Sequence, residues 1–106
     1  MDKVEILEGN TLIAKYMGGV VIADYKGSKG GYFDTNIFDF GTLVQPDNTR
    51  YWSDINLKYH KDWNWLIPAM LKRESECERF HLTFIHENLY DIESMFKKLV
   101  ISFIVD

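Results

Sequence analysis

One segment near the end of the chain leaves little freedom in what it can form. In "IESMFKKLVISFIVD", Ile92, Met95, Phe96, Leu99, Val100 and Phe103 recur at i, i+3, i+4, i+7, i+8 and i+11. That spacing lays all six along one stripe of an α-helix beginning at about Tyr90. A continuous apolar stripe has to be covered by another layer of structure. The rest of the chain must therefore supply that layer.

Two further helices and a small sheet can be read from it. "NTLIAKYMGG" places Leu12, Ile13, Tyr16 and Met17 at helical spacing, with Gly18 as the left-handed stop. Val4, Ile6 and Leu7 extend this helix backwards, or Asn10 caps a shorter one. "VVIADYK" is β-branched and aromatic and suits a strand. "GSKGG" is a turn, and "YFDTNIFDFGTLV" holds one further strand, or two with a break near Gly41, with Phe38 and Phe40 on one face and Ile37 and Asp39 on the other. "QPDNT" is a turn, and residues 50–58 read as loop. A helix follows, to about Glu76. "RFHLTFIHE" then alternates strictly, as a strand with one buried face does. The expectation is a single α+β domain over residues 1–106. Three helices pack on a small, mainly antiparallel sheet, in the order α-β-β-α-β-α.

Composition supports one core. Of the 106 residues, 46% are hydrophobic and 15% aromatic, which argues against disorder. The net charge of -4, with no basic run, disfavours nucleic acid as a partner. Cys77 is the one cysteine, so neither an internal disulfide nor a cysteine-rich zinc site is available. The opening "MDKVEILEGN" is acidic and polar, unlike a secretory signal. The longest apolar run, "LVISFIVD", is too short to span a bilayer. A cytoplasmic protein without membrane contact is expected.

The densest aromatic stretch is "YHKDWNWLIPAM", residues 59–70. Trp63, Ile67 and Met70 sit at i, i+4 and i+7, and Leu66 and Leu71 widen the stripe, so this face is expected to meet the core. Asp62 is the N-cap. Pro68 falls in the second turn, where it removes a hydrogen bond and crowds the carbonyl of Asn64, at a cost of about 3 kcal/mol. Either the helix kinks, or regular helix starts near Pro68. Trp65 lies about 200° around the helix from Trp63. It either packs under the preceding loop with Trp52 or Tyr51, or presents its ring to a partner, as tryptophans at binding hot spots do.

Chemistry is hard to find. His81 and His86 point to opposite faces of a regular strand, and His60 is distant, so no metal site and no cofactor are expected. No spacing selects a carboxylate pair for acid–base work. "GSKGG" lacks the phosphate-loop pattern, and Cys77 lies between Glu76 and Glu78, which disfavour its thiolate. No catalytic residue is named. An enzyme ranks below two binding hypotheses.

"NTLIAKYMGG" followed by "LKYHKDWNWLIPAMLKRES" resembles a small family found in phages and prophages of Bacteroidetes-type bacteria. Its members share an "LIA-x-(F/Y)-MG" start and a "YH-x-x-W-x-WL-x-P" block. The last helix resembles the family's final element only in outline. The resemblance implies a mobile-element origin, a bacterial host cytoplasm and a compact α+β fold, with a looser likeness to α-β-α sandwich phage domains. It implies no activity. The first hypothesis is an accessory protein-binding module with Trp52, Tyr59, His60 and Trp65 as its surface. The second is a small-molecule or nucleotide pocket near residues 45–54, lined by aromatics, with Arg50 meeting an anionic group. Ile101 and Val105, off the main stripe of the last helix, are either chain-end residues or a homodimer contact.

Overall fold

A computed structural model describes residues 2–25, 35–41, 50–77 and 91–104. Its first element, α1, spans Lys3–Tyr16. Asp2 starts it by accepting a hydrogen bond from the backbone N–H of Glu5 at 2.8 Å. Asn10 is therefore inside the helix and does not cap it. Gly9 is also interior, where glycine costs about 1 kcal/mol relative to alanine. Packing explains it. A Cβ at Gly9 would lie 2.5 Å from Cζ of Phe96 on the last helix. The stop is the expected one. Gly18 adopts φ 97°, and the N–H of Gly19 reaches back to the carbonyl of Ala14 at 2.8 Å.

The described strands are β1 (Val20–Tyr25), β2 (Thr35–Asp39) and β3 (Tyr51–Ser53). They form an antiparallel sheet in the order β1-β2-β3. Val20 pairs with Asp39 and Tyr25 with Thr35, with a shift of register between Val21 and Ala23. Phe38 pairs with Trp52. Phe38 and Phe40 are buried, while Ile37 and Asp39 are half-buried, so the alternation read from the sequence holds. β3 corrects the reading of residues 50–58 as loop. Three residues are too few to show alternation, and this strand exists because β2 offers it a ladder. A 3-10 turn, Asp54–Asn56, follows.

α2 runs over Trp63–Glu76 without interruption at Pro68, so the helix does not begin there. The carboxylate of Asp62 caps it, accepting from the N–H of Asn64 at 2.9 Å. Its core face is Trp65, Leu66, Ala69, Met70 and Arg73. Trp63, Ile67 and Leu71 are exposed by 38%, 45% and 54%, so the stripe expected from the sequence is displaced around the helix. The cause is Arg73. A charge at the centre of the true core face hides that face from any search for apolar spacing. Its guanidinium is satisfied inside: Nε donates to Ser102 Oγ at 3.0 Å and Nη2 to the Ser102 carbonyl at 2.7 Å. It also lies 4.6 Å from the Phe103 ring centroid.

α3 spans Ile92–Ile104, with Met95, Phe96 and Leu99 buried and Ile92, Val100 and Phe103 half-buried. The N–H of Ser94 donates to Asp91 at 2.7 Å. Three helices and an antiparallel sheet make this an α+β domain, with the described order α-β-β-β-α-α. The strand expected at residues 80–86 lies outside the described residues, as do "GSKGG" and "QPDNT". The core joins Ile13 and Ala14 of α1 to Phe38 and Phe40, Leu57 and Tyr59, the inner face of α2, and Met95, Phe96 and Leu99 of α3.

The C-terminal end of α1 is tied to α2 by polar contacts. Lys72 donates to the carbonyl of Tyr16 at 2.7 Å and lies 4.4 Å from its ring centroid. The Tyr16 hydroxyl donates to Glu76 at 2.5 Å. Partial burial and then this carboxylate push the Tyr16 phenol up to about 12.

Candidate functional site

The residues singled out by the sequence divide into three places. The first is a closed aromatic corner. The Trp65 ring meets Trp52 edge-on, with centroids 4.8 Å apart and planes at 90°. Tyr59 meets Trp65 at 5.2 Å and 81°. Trp65 is 2% exposed and Tyr59 0%. Neither is placed to touch a partner, which corrects the reading of these two as surface residues. Trp65 takes the alternative reading, packing with Trp52 from the preceding segment. The geometry is the edge-to-face arrangement that aromatic quadrupoles favour. Burial raises the Tyr59 phenol pKa well above its usual value. Trp52 is half-buried, and Lys58 Nζ lies 5.4 Å from its ring centroid.

The second place is the surface pair of Arg50 and Asp39. Arg50 Nε donates to Oδ1 at 2.7 Å and Nη2 to Oδ2 at 3.0 Å, a two-pronged contact. Its guanidinium also lies 5.0 Å from the Tyr51 ring centroid. The Arg50 bonds, and then the N–H of Gly41, hold the Asp39 carboxyl below the usual range. This corrects the expectation of Arg50 directed into a pocket. Its charge is already matched on the protein's own surface. Of the loop that was to open such a pocket, residues 45–54, the first half, 45–49, lies outside the described residues.

The third place is His60. Its ring stacks edge-on to Phe96 with centroids 6.1 Å apart. Its Nδ1 lies 2.9 Å from the Asn10 side-chain nitrogen, so the ring accepts a hydrogen bond from the amide and the remaining proton sits on Nε2. Asn10 is 2% exposed and also reaches the Leu57 carbonyl at 3.4 Å. His60 thus ties α1 to the segment leading into α2. Burial, then the charge of Lys61, lowers its pKa.

Two surface features were not read from the sequence. Between α1 and α3 runs a groove of about 380 Å³. Phe96 and Gly9 line it deepest, and Leu12, Val100, Ile101 and Ile104 supply its apolar walls. Glu5 and Glu8 line it too, and their carboxylates have no partner among the described residues. Lys97, also in its wall, is engaged by Glu93 at 3.4 Å. Beside it, a second hollow of about 470 Å³ is lined by Leu7, Glu8, Thr11, Leu12, Asn36 and Asp54. Glu8 and Leu12 border both. Ile101, noted in the sequence as off the main stripe, is 54% exposed on the groove wall, while Val105 lies outside the described residues. The signal that could have located the groove is the surplus of apolar residues on α1. Val4, Leu7 and Leu12 exceed what one core-facing stripe needs.

Among the described residues, no group of three His, Cys, Asp or Glu side chains could hold a metal ion. No described helix is long and apolar enough to cross a membrane. Cys77 is buried. Compared with protein-family models, curated proteins and solved structures, the chain matches none.

Proposed function

We propose that this chain is a small accessory protein that acts as a non-catalytic protein-binding module, with the α1–α3 groove as its docking surface. The mobile-element origin suggested by "LIAKYMGG" and "YHKDWNWLIP" belongs to the same proposal. The observation that carries it is the groove itself. Leu12, Ile101 and Ile104 are exposed by 38%, 54% and 68% around one concavity. The Glu5 and Glu8 carboxylates, without a partner among the described residues, border it. Apolar walls with a single sign of unmatched charge suit an amphipathic helix of a partner, whose apolar face enters the groove and whose basic residues meet α1. A second copy of this acidic chain suits the glutamates less well.

The test is capture from a bacterial lysate with the wild-type protein, Ile101→Asp and Glu5→Lys/Glu8→Lys. The proposal expects one protein retained in near-stoichiometric amount by wild type and lost with both variants, while their near-ultraviolet circular dichroism stays that of wild type. A partner retained equally by all three forms would move the surface elsewhere. Self-association lost in Ile101→Asp would put a second copy in the groove.

A further inference from the structure

The second hollow has its own chemistry. Asp54 opens the 3-10 turn after β3 and is only 3% exposed, although it lines the hollow. One of its oxygens, Oδ2, accepts from the backbone N–H of Asn36 at 3.2 Å. The other, Oδ1, has no hydrogen-bond partner among the described residues. A carboxylate this deep with one oxygen unmatched is an uncompensated acceptor, and its ionised form calls for a cation or a donor. Glu8 brings a second carboxylate to the same hollow. Leu7 and Leu12 give apolar walls, and Thr11 and Asn36 add polar groups.

From this arrangement we infer that the hollow is a binding site for an alkylammonium or alkylguanidinium group. The cationic head meets Asp54 and Glu8, and the alkyl stem lies against Leu7 and Leu12. A slender cation on an apolar stem is the shape that reaches a buried carboxylate, as lysine and arginine side chains do when their stems lie along apolar surface. A divalent metal ion fits worse. It needs several oxygen ligands, and no group of three suitable side chains exists among the described residues. The head group can come from a free amine or from a lysine or arginine of a bound protein. The site shares Glu8 and Leu12 with the α1–α3 groove, and what sets it apart is Asp54, which does not line the groove.

The experiment titrates the full chain with n-butylammonium chloride and follows backbone amide resonances. The expected result is saturable shifts at Thr11, Asn36 and Asp54. The neutral isostere 1-butanol should leave them unmoved. Asp54→Asn keeps an acceptor for the Asn36 N–H, removes the charge, and should weaken binding by at least about tenfold. Glu8→Gln, at an exposed position, should weaken it by about threefold. Ile101→Asp should bind butylammonium like wild type, which separates this site from the groove. Equal binding of Nα-acetyl-lysine amide places the natural source in a partner's side chain. Binding of butylammonium alone places it in a free amine. Absence of saturation, equal shifts with 1-butanol, or unchanged affinity in both carboxylate variants overturns the inference. Where Asp54→Asn fails to fold, Glu8→Gln and 1-butanol decide it.

Discussion

Two regions of this molecule carry apolar side chains at the surface of its helices, and they have opposite fates. At the aromatic corner, Trp65 is enclosed by Trp52 and Tyr59, so the chain closes that face with its own rings. Along α1 and α3, plain aliphatic residues line a groove that nothing described fills. The rare residues attract attention in a sequence, yet Trp65 and Tyr59 are spent on the core. The common ones, Leu12, Ile101 and Ile104, are left outside. A tryptophan count is a poor guide to a binding face when the backbone brings two indoles and a phenol together.

The strongest way to break this comparison is to truncate the corner. Trp65→Ala should destabilise the fold by about 3–5 kcal/mol, because a buried indole leaves a cavity that its neighbours cannot refill. Trp63→Ala, only two positions away but 38% exposed, should cost less than about 1 kcal/mol. Denaturant unfolding of both variants checks the pair. Equal losses would mean that the corner is not the closed region described.

The groove can be probed from beneath. Gly9→Ala should cost about 1–3 kcal/mol, since the new Cβ would meet Phe96 at 2.5 Å and force α1 from α3. The spread of the helices should also move the Ile101 and Leu12 resonances. Because alanine gains about 1 kcal/mol over glycine in a helix interior, a stabilisation of that size with the Ile101 and Leu12 resonances unmoved would show that the two helices do not touch at Gly9.

A third test uses pH, because His60 sits between the two regions. Its folded pKa lies below the ordinary value near 6.5, so the native state favours the neutral ring. The associated stability is fully present above about pH 6.5 and is lost as pH falls through the lower folded pKa. Protonation would also set the Nδ1 proton against the Asn10 amide donor. His60→Gln should flatten this part of the stability profile, measured by thermal melts from pH 8 to pH 5. An unchanged profile would remove His60 from the account. The smallest effect is expected at Ile101→Asp, within about 0.5 kcal/mol of wild type, because that side chain is exposed in the free protein.

These contrasts follow what the sequence shows and hides. α3 was legible because its stripe carries no charge, and α1's stop was legible because Gly18 has one conformational role. The face of α2 was not legible. Arg73 at its centre looks like solvent exposure until Ser102, far along the chain, accepts its hydrogen bonds. Asn10 misled in the same way. An asparagine in mid-helix reads as a cap, and only the position of His60 shows what its amide serves. β3 depends on β2 alone. Of the candidate site, the aromatic residues were visible but their enclosure was not, since enclosure is a property of the fold and not of spacing. Glu5, Glu8 and Asp54 had nothing to distinguish them from other carboxylates before α1, β2 and the 3-10 turn set them around two hollows.

The arrangement of the three tryptophans has an optical consequence. Two indoles with centroids 4.8 Å apart share their excited states, and the nearby phenol of Tyr59 feeds energy into them. That pair should dominate the ultraviolet dichroism of the folded protein, and Trp65 within it should resist quenching by iodide. Trp63, on the outer face of α2, should emit at longer wavelength and be quenched readily. The chain thus carries two native reporters of different colour, one for the enclosed corner and one for the solvent face of the same helix.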